Sequence, residues 1–307
     1  MKEVGILGLG KMGGNIALHL TEQGIKVIAH NRTHSKAEKF VEDAKALGGE
    51  AVAVETYEEL MDAFTGPRTI IMYLPSLEPT AEAFEKLLPL MSEGDTLIDG
   101  GNNHYKEAIR HHGVAKESGV GYMDCGTSGG MEGARNGACL MIGGDQDVFD
   151  KAEWLFKAIA MEGGYGRMGE IGTGHYVKMT HNGIEYAILQ AYAEGFHIFE
   201  DGPYSDQLDF YQIARVWNHG SVIRSWMLEL AEEKFAEEPR LESMIGIIGG
   251  GQTGTWTAEQ AREQGTPAPS IELSLEMRKK SQDNPTFAGK VIAAIRNGFG
   301  GHAITRK

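Results

Sequence analysis

A chain of 307 residues, 41% hydrophobic and 23% charged, has the composition of an ordinary globular protein of roughly two domains. Its formal net charge of −14 argues against a nucleic-acid partner, and any anionic ligand must be drawn in by a local basic cluster against the global field. No run of about 18 apolar residues predicts a membrane span, the opening Met1-Lys2-Glu3-Val4 lacks signal-peptide anatomy, and two cysteines, Cys125 and Cys139, fit a reducing, cytoplasmic compartment.

In chain order, apolar strand patterns fall at residues 4–7, 27–30, 51–54, 69–74, 96–99, 122–124 and 139–143. Amphipathic stretches such as 12–23 and 35–47 lie between them. That alternation is the signature of an α/β sheet. Beyond Gly172 the strand signals fade, and helices are expected over residues 174–200, 206–235, 256–265, 270–283 and 286–297. The expected organisation is an N-terminal Rossmann-type doubly wound domain over residues 1–165, followed by an all-α domain over residues 166–307.

The first chemical motif, "VGILGLGKMGGNIALHL", runs from a strand into a helix. Gly8, Gly10 and Gly13 form G-x-G-x-x-G in the strand–turn–helix context that cradles a pyrophosphate at a helix N-terminus. With Met12, they are the candidate contacts to a dinucleotide. The second strand ends in "HNRT" rather than in the carboxylate that would hold an NAD ribose hydroxyl. Asn31, Arg32 and Thr33 therefore point to NADP as the preferred cofactor, with NAD possible, because an arginine suits a 2′-phosphate. The alternative for Arg32 is a solvated surface side chain.

Two glycine loops follow at successive strand ends. "DGGNNHY" offers Asn102 to a cofactor or substrate, and "DCGTSGGMEGARNG" offers Ser128, Gly129 and Gly130, whose hydroxyl and backbone N–H groups suit an anion. The sharpest signal is "GHYVKMTHNGIEY". Lys178, His181, Asn182 and Glu185 stand at i, i+3, i+4 and i+7, on one helical face where packing residues are usual. A buried lysine titrates easily and can act as a general base; a buried glutamate is raised toward general-acid duty. The alternative is a salt-bridged surface face. Against it, the charges are spaced i,i+7 and Gly183 interrupts the helix, as close approach of another element would require.

The stretches "GLGKMGGN", "DGGNNHY", "TSGGMEGARNG", "KMTHNGIEY" and "RNGFGGH" together resemble the decarboxylating 6-phosphogluconate dehydrogenases, in a short form. The resemblance implies that 6-phosphogluconate is oxidised at C3 with reduction of NADP or NAD. Lys178 would take the hydroxyl proton, the 3-keto acid would lose CO2 without a metal, and Glu185 would protonate C1 to give ribulose 5-phosphate. It further implies that Asn102, Ser128, Gly129, Gly130, His181 and Asn182 contact the sugar acid, and that Tyr186, Arg278, Arg296 and His302 surround the phosphate. A homodimer or homotetramer is implied, with the C-terminal tail completing the neighbouring site. Two departures stand out: "GGGQTGTWT", around Gly251 and Gln252, lacks the loop lysine of longer members, and Met131 replaces a glutamate. Competing expectations are a relative acting on an unphosphorylated 3-hydroxy acid and a non-catalytic dinucleotide sensor.

Overall fold

The structure, a computed structural model, describes residues 1–250 and 252–307. It divides into two compact units, Met1–Met179 and Thr180–Lys307. Among the described residues, no helix is long and apolar enough to cross a membrane.

The first unit holds, in chain order, β1 (Glu3–Leu7), α1 (Lys11–Glu22), β2 (Lys26–His30), α2 (His34–Ala46), β3 (Ala51–Val54), α3 (Tyr57–Asp62), β4 (Thr69–Met72), α4 (Glu78–Leu87), β5 (Thr96–Asp99), α5 (Tyr105–Glu117), β6 (Gly121–Ser128), α6 (Gly130–Asn136), β7 (Ala138–Gly143), α7 (Gln146–Ile159) and β8 (Ala160–Gly169). The strands form one sheet ordered β3-β2-β1-β4-β5-β6-β7-β8, with only the β6–β7 pair antiparallel. Neighbouring strand residues feed opposite faces, as the pleat requires. Ile6, Ala29, Ile71, Ile98 and Met123 enter one core, whereas Leu7, Ile28, Met72, Leu97 and Tyr122 enter the other. Both faces are therefore covered, and the strands read as near-continuous apolar runs. Because β1, β2, β4, β5 and β6 are parallel, their carboxyl ends share one edge, where α/β sheets bind ligands.

The sequence reading missed β8. Its residues, "AMEGGYGRMG", are half exposed and glycine-rich, so no strict alternation marks them as a strand. It also ended the sixth strand too early: β6 continues to Ser128.

The helix α8, Thr173–Glu200, is continuous. The second unit adds α9 (Phe210–Asn218), α10 (Trp226–Glu237), α11 (Gln252–Glu263), α12 (Pro269–Lys280) and α13 (Phe287–Gly300). The helix expected over residues 206–235 is two. Asp209 caps α9, accepting from Gln212 N–H at 3.1 Å, and Ser225 caps α10, accepting from Leu228 N–H at 3.1 Å. Between them Gly220 takes a φ of +106, which a β-branched or bulky residue rarely adopts. The core of this unit gathers Phe196, Phe210, Phe235, Leu228 and Ile295, with the Phe196 and Phe235 rings 4.7 Å apart.

Candidate active site

The β1–α1 turn has the geometry of a pyrophosphate cradle. Gly8 sits at φ +89, and a β-carbon there would collide with the Tyr73 carbonyl. One on Gly13 would strike the Gly8 carbonyl, so the turn closes tightly onto α1. At Gly10 the same atom would meet nothing within 4 Å. The open space therefore lies at the helix N-terminus, where an anion is favoured. The fit to a dinucleotide rests on this cradle. Asn31 steadies it: its Oδ1 accepts from Leu9 N–H at 3.0 Å, and its Nδ2 donates to Thr33 O at 3.0 Å. Arg32 and Thr33 are exposed beyond β2, while Met12 is partly buried against the core.

The next two strand ends are organised by buried carboxylates. Asp99, the last residue of β5, accepts from Gly101 N–H at 3.1 Å and from Asn103 Nδ2 at 2.9 Å. Asn103 Oδ1 in turn accepts from Leu77 N–H at 2.8 Å. Asn103 is thus consumed by the loop, and its neighbour Asn102 is left exposed. At the end of β6, Ser128 leads into Gly129 at φ +115 and Gly130 at φ +61, which open α6.

Asp124, on β6, grips the start of α8. Its two oxygens accept from Gly172 N–H and His175 N–H, both at 2.6 Å. A carboxylate at a helix N-terminus satisfies orphan donors and complements the dipole. His175 is 1% exposed, with Nε2 3.2 Å from Asp99 Oδ2. Burial alone would lower the His175 pKa, but the charge and contact of Asp99, with Asp124 behind, raise it. Burial likewise pushes Asp99 up, yet His175, Asn103 and Gly101 bring it below the ordinary carboxylate range.

Lys178, 7% exposed, lies one turn further along α8. A β-carbon on Gly126 would collide with the Lys178 β-carbon. The missing side chain lets the lysine stem lie directly on β6. With Lys178 as the general base that the sequence leads one to expect, Gly126→Ala should displace it and lower kcat by about 10²-fold with little change in cofactor Kd, since misplacement of about 1 Å can cost that much. Steady-state rates and a cofactor titration check it.

Within the second unit, α8 presents Asn182, His181, Gly183, Glu185 and Tyr186. Asn182 is buried; its Nδ2 donates to Thr253 Oγ1 at 3.0 Å, and its Oδ1 lies 3.0 Å from His181 Nδ1. The close approach expected at Gly183 is that of α11: a β-carbon there would sit 2.6 Å from Thr257 Cγ2. The loop-side residue Gln252 begins α11; Gly251 lies outside the described residues.

Tyr186 carries the Arg278 guanidinium over its ring at 3.8 Å from the centroid. Arg278 also donates to the Gly250 and Gly249 carbonyls. Arg296, 7% exposed, donates to Gly249 O at 2.7 Å. Burial pulls Arg278 down, with Tyr186 and Glu185 partly offsetting it. Arg296 is pushed down to about 10, by burial first and then by the Arg278 charge. Two desolvated cations that repel each other beside one tyrosine form a place where an anion would relieve both penalties. His302 is exposed and turns its ring edge-on to Phe299, with ring centroids 6.0 Å apart.

Within the second unit the structure thus brings Glu185, Tyr186, Arg278 and Arg296 together. Sequence reasoning passed over Asp99, Asp124 and His175 as site-forming residues. The available signal was His175 at three residues before Lys178, on the same helical face.

Residues 3–174 match the family described as the NAD binding domain of 6-phosphogluconate dehydrogenase, and residues 174–288 match the C-terminal domain of 6-phosphogluconate dehydrogenase. The chain is similar to YqeC of Bacillus subtilis (strain 168), with 43% identity over 99% of this chain and 100% of that protein. It is also similar to the NAD(+)-dependent, decarboxylating 6-phosphogluconate dehydrogenase of Haloferax volcanii, with 39% identity over 99% of both. Among solved structures it resembles 6-phosphogluconate dehydrogenase from Plasmodium falciparum, described in its apo form and in complexes with NADP+ and with 6-phosphogluconate, at a TM-score of 0.83 and 30% identity. That match covers 91% of this chain but 62% of the other, so the chain spans less than two thirds of this longer relative.

Proposed function

Because this chain belongs to the 6-phosphogluconate dehydrogenase family, we propose that it oxidises and decarboxylates 6-phosphogluconate to ribulose 5-phosphate and CO2, a step of pentose phosphate metabolism, while reducing a nicotinamide dinucleotide. The observation that carries the phosphorylated substrate is the Arg278–Arg296 pair beside Tyr186 and Glu185. An unphosphorylated 3-hydroxy acid would leave those two charges unanswered.

When bound at the Gly8–Gly13 turn, the dinucleotide supplies the hydride acceptor. The remaining chemistry belongs to side chains of α8. Lys178 takes the proton of the C3 hydroxyl, which lets the hydride leave C3. Asn182 and His181 hold the neighbouring hydroxyls, with the Asn182 amide fixed by Thr253. The β-keto acid so formed loses CO2, because its carbonyl accepts the electron pair of the breaking bond. Glu185 then protonates C1 of the enediol. Asn102, Ser128, Gly129 and Gly130 complete the contacts to the sugar acid, and Tyr186, Arg278 and Arg296 take the phosphate. Absorbance of reduced cofactor with 6-phosphogluconate, read together with CO2 release, tests this. Cofactor reduction with an unphosphorylated 3-hydroxy acid but not with 6-phosphogluconate would overturn it.

For the cofactor, the proposal is a preference for NADP over NAD. Arg32 is exposed just past the end of β2, where the sequence reads His30-Asn31-Arg32-Thr33 and carries no carboxylate. Replacing Asn31 by Asp and Arg32 by Gln is expected to shift kcat/KM toward NAD. The 2′-phosphate would meet a like charge and lose a charge-assisted bond of about 1.5–3 kcal/mol. An Asp at position 31 can still accept from Leu9 N–H but cannot donate to Thr33 O, so the turn keeps one of its two side-chain tethers. A higher kcat/KM with NAD in the unaltered protein would contradict the preference.

The proposed assembly is a homodimer or a multiple of it. Ile184, Ile188 and Ile198 are exposed along one face of α8, an apolar stripe suited to a second copy. In this assembly the tail carrying Arg296 and the exposed His302 completes the site of the neighbouring copy. The proposed compartment is the cytoplasm, in keeping with the free thiols Cys125 and Cys139.

A further inference from the structure

We propose that His175 and Asp99 are positioning residues for the reaction: the buried pair sets the register of the α8 turn carrying Lys178 against the loop carrying Asn102. The proposal rests on the reading of Lys178 as proton acceptor, and deepens it.

Asp99 and Asp124 stand opposite each other in register on the parallel strands β5 and β6. Both are almost wholly buried. They seize the same residue from two sides. Asp124 accepts from the His175 backbone N–H at 2.6 Å, and Asp99 lies 3.2 Å from the His175 ring. The Asp99 carboxylate simultaneously shapes the Asn102 loop, through Gly101 N–H and Asn103 Nδ2. One side chain therefore touches both the loop and the helix.

The surface beneath α8 explains why such a link is needed. Much of the contact there is made through glycines, beside the Tyr176 ring, which stands edge-on to Tyr105 at 5.4 Å. A β-carbon on Gly126 would run into Lys178, and one on Gly143 or Gly174 would run into the facing backbone. Glycine pads allow close approach, but they offer no side chains to interdigitate, so they do not fix where along its axis the helix stops. The hydrogen bond from His175 N–H to Asp124 and the close ion pair of the His175 ring with Asp99 do. A buried ion pair gives little net stability over an apolar pair of similar volume, which leaves geometry as the reason to keep one here. His175 lies three residues before Lys178 on the same helical face, so a shift at one is a shift at the other.

The test uses the full-length protein with three variants, His175→Gln, Asp99→Asn and the two combined, and with 6-phosphogluconate carrying deuterium at C3. Each single variant is expected to lose about 10- to 100-fold in kcat, the cost of a small misplacement of a reacting group. KM for substrate and cofactor should stay within about threefold of the original, and the deuterium isotope effect on kcat should rise. The combined variant should be no worse than the poorer single one, because the two residues act as one unit. A merely structural role would inactivate a fraction of the molecules and leave the isotope effect unchanged; that result overturns the proposal. So does a kcat within about twofold of the original for both single variants, or failure of both to fold. Lys178→Met is assayed alongside. If it keeps near-normal kcat, the reading of the base is what fails; if it is inactive while the pair variants are unaffected, the positioning proposal alone fails.

Discussion

Lys178→Met is expected to lower kcat by about 10³- to 10⁴-fold while leaving cofactor binding intact, at the upper end of what a general base contributes. Methionine keeps an unbranched stem of similar length, so packing on the bare Gly126 backbone survives. The dinucleotide cradle is formed by Gly8, Gly10, Gly13 and Asn31 at other strand ends, so its Kd should not move. Thermal stability should hold or rise, because a buried amine is replaced by an apolar group. Glu185→Gln separates the second proton transfer. Hydride transfer should continue, but incorporation of deuterium at C1 from heavy water should slow. A Lys178→Met protein with near-normal kcat would sink the assignment, as would a Glu185→Gln protein with unchanged C1 exchange.

The second large effect concerns the two arginines. Arg278→Ala and Arg296→Ala should each cut kcat/KM for 6-phosphogluconate by about 10- to 150-fold, the equivalent of one charge-assisted contact of about 1.5–3 kcal/mol. The loss should fall mainly in KM, and activity on gluconate should barely change, because the missing partner is the phosphate. The double variant should lose less than the product of the singles, since removing one cation relieves the repulsion on the other. Mixed dimers locate the pair. At substrate well below KM, the Lys178→Met homodimer should be nearly inactive and the Arg296→Ala homodimer about 10- to 150-fold down. If Arg296 serves its own chain, where its guanidinium meets Gly249 O, a heterodimer pairs a chain without the base with a chain without the arginine, and activity stays low. Recovery in verified heterodimers would instead show that the tail serves the neighbour.

How much of this was legible beforehand follows the range of the physics involved. The four polar groups of α8 could be placed on one face from their spacing, because helical geometry is local. The glycine cradle could be placed as well, since strand, turn and helix are contiguous there. The break between α9 and α10 was missed although its signals, Gly220 and the Ser225 cap, are local; the long apolar periodicity outweighed them. The strand β8 carries no alternating pattern, and it pairs only because β7 lies beside it.

By itself the sequence determined the alternation of strands and helices, the glycine turn between β1 and α1 and the polar face of α8, all of which are written within one or two turns of chain. Only the tertiary structure decided that Asp99 and Asp124 meet on His175, that Arg296 joins Arg278 beside Tyr186, and that Asn103 rather than Asn102 is spent inside its loop. Those pairings depend on strand order, register and helix packing, which bring together residues far apart in the chain. The burial that lowers the proton affinity of Arg278 and Arg296, and the contacts that raise His175 and lower Asp99 against their burial, exist only in the folded chain.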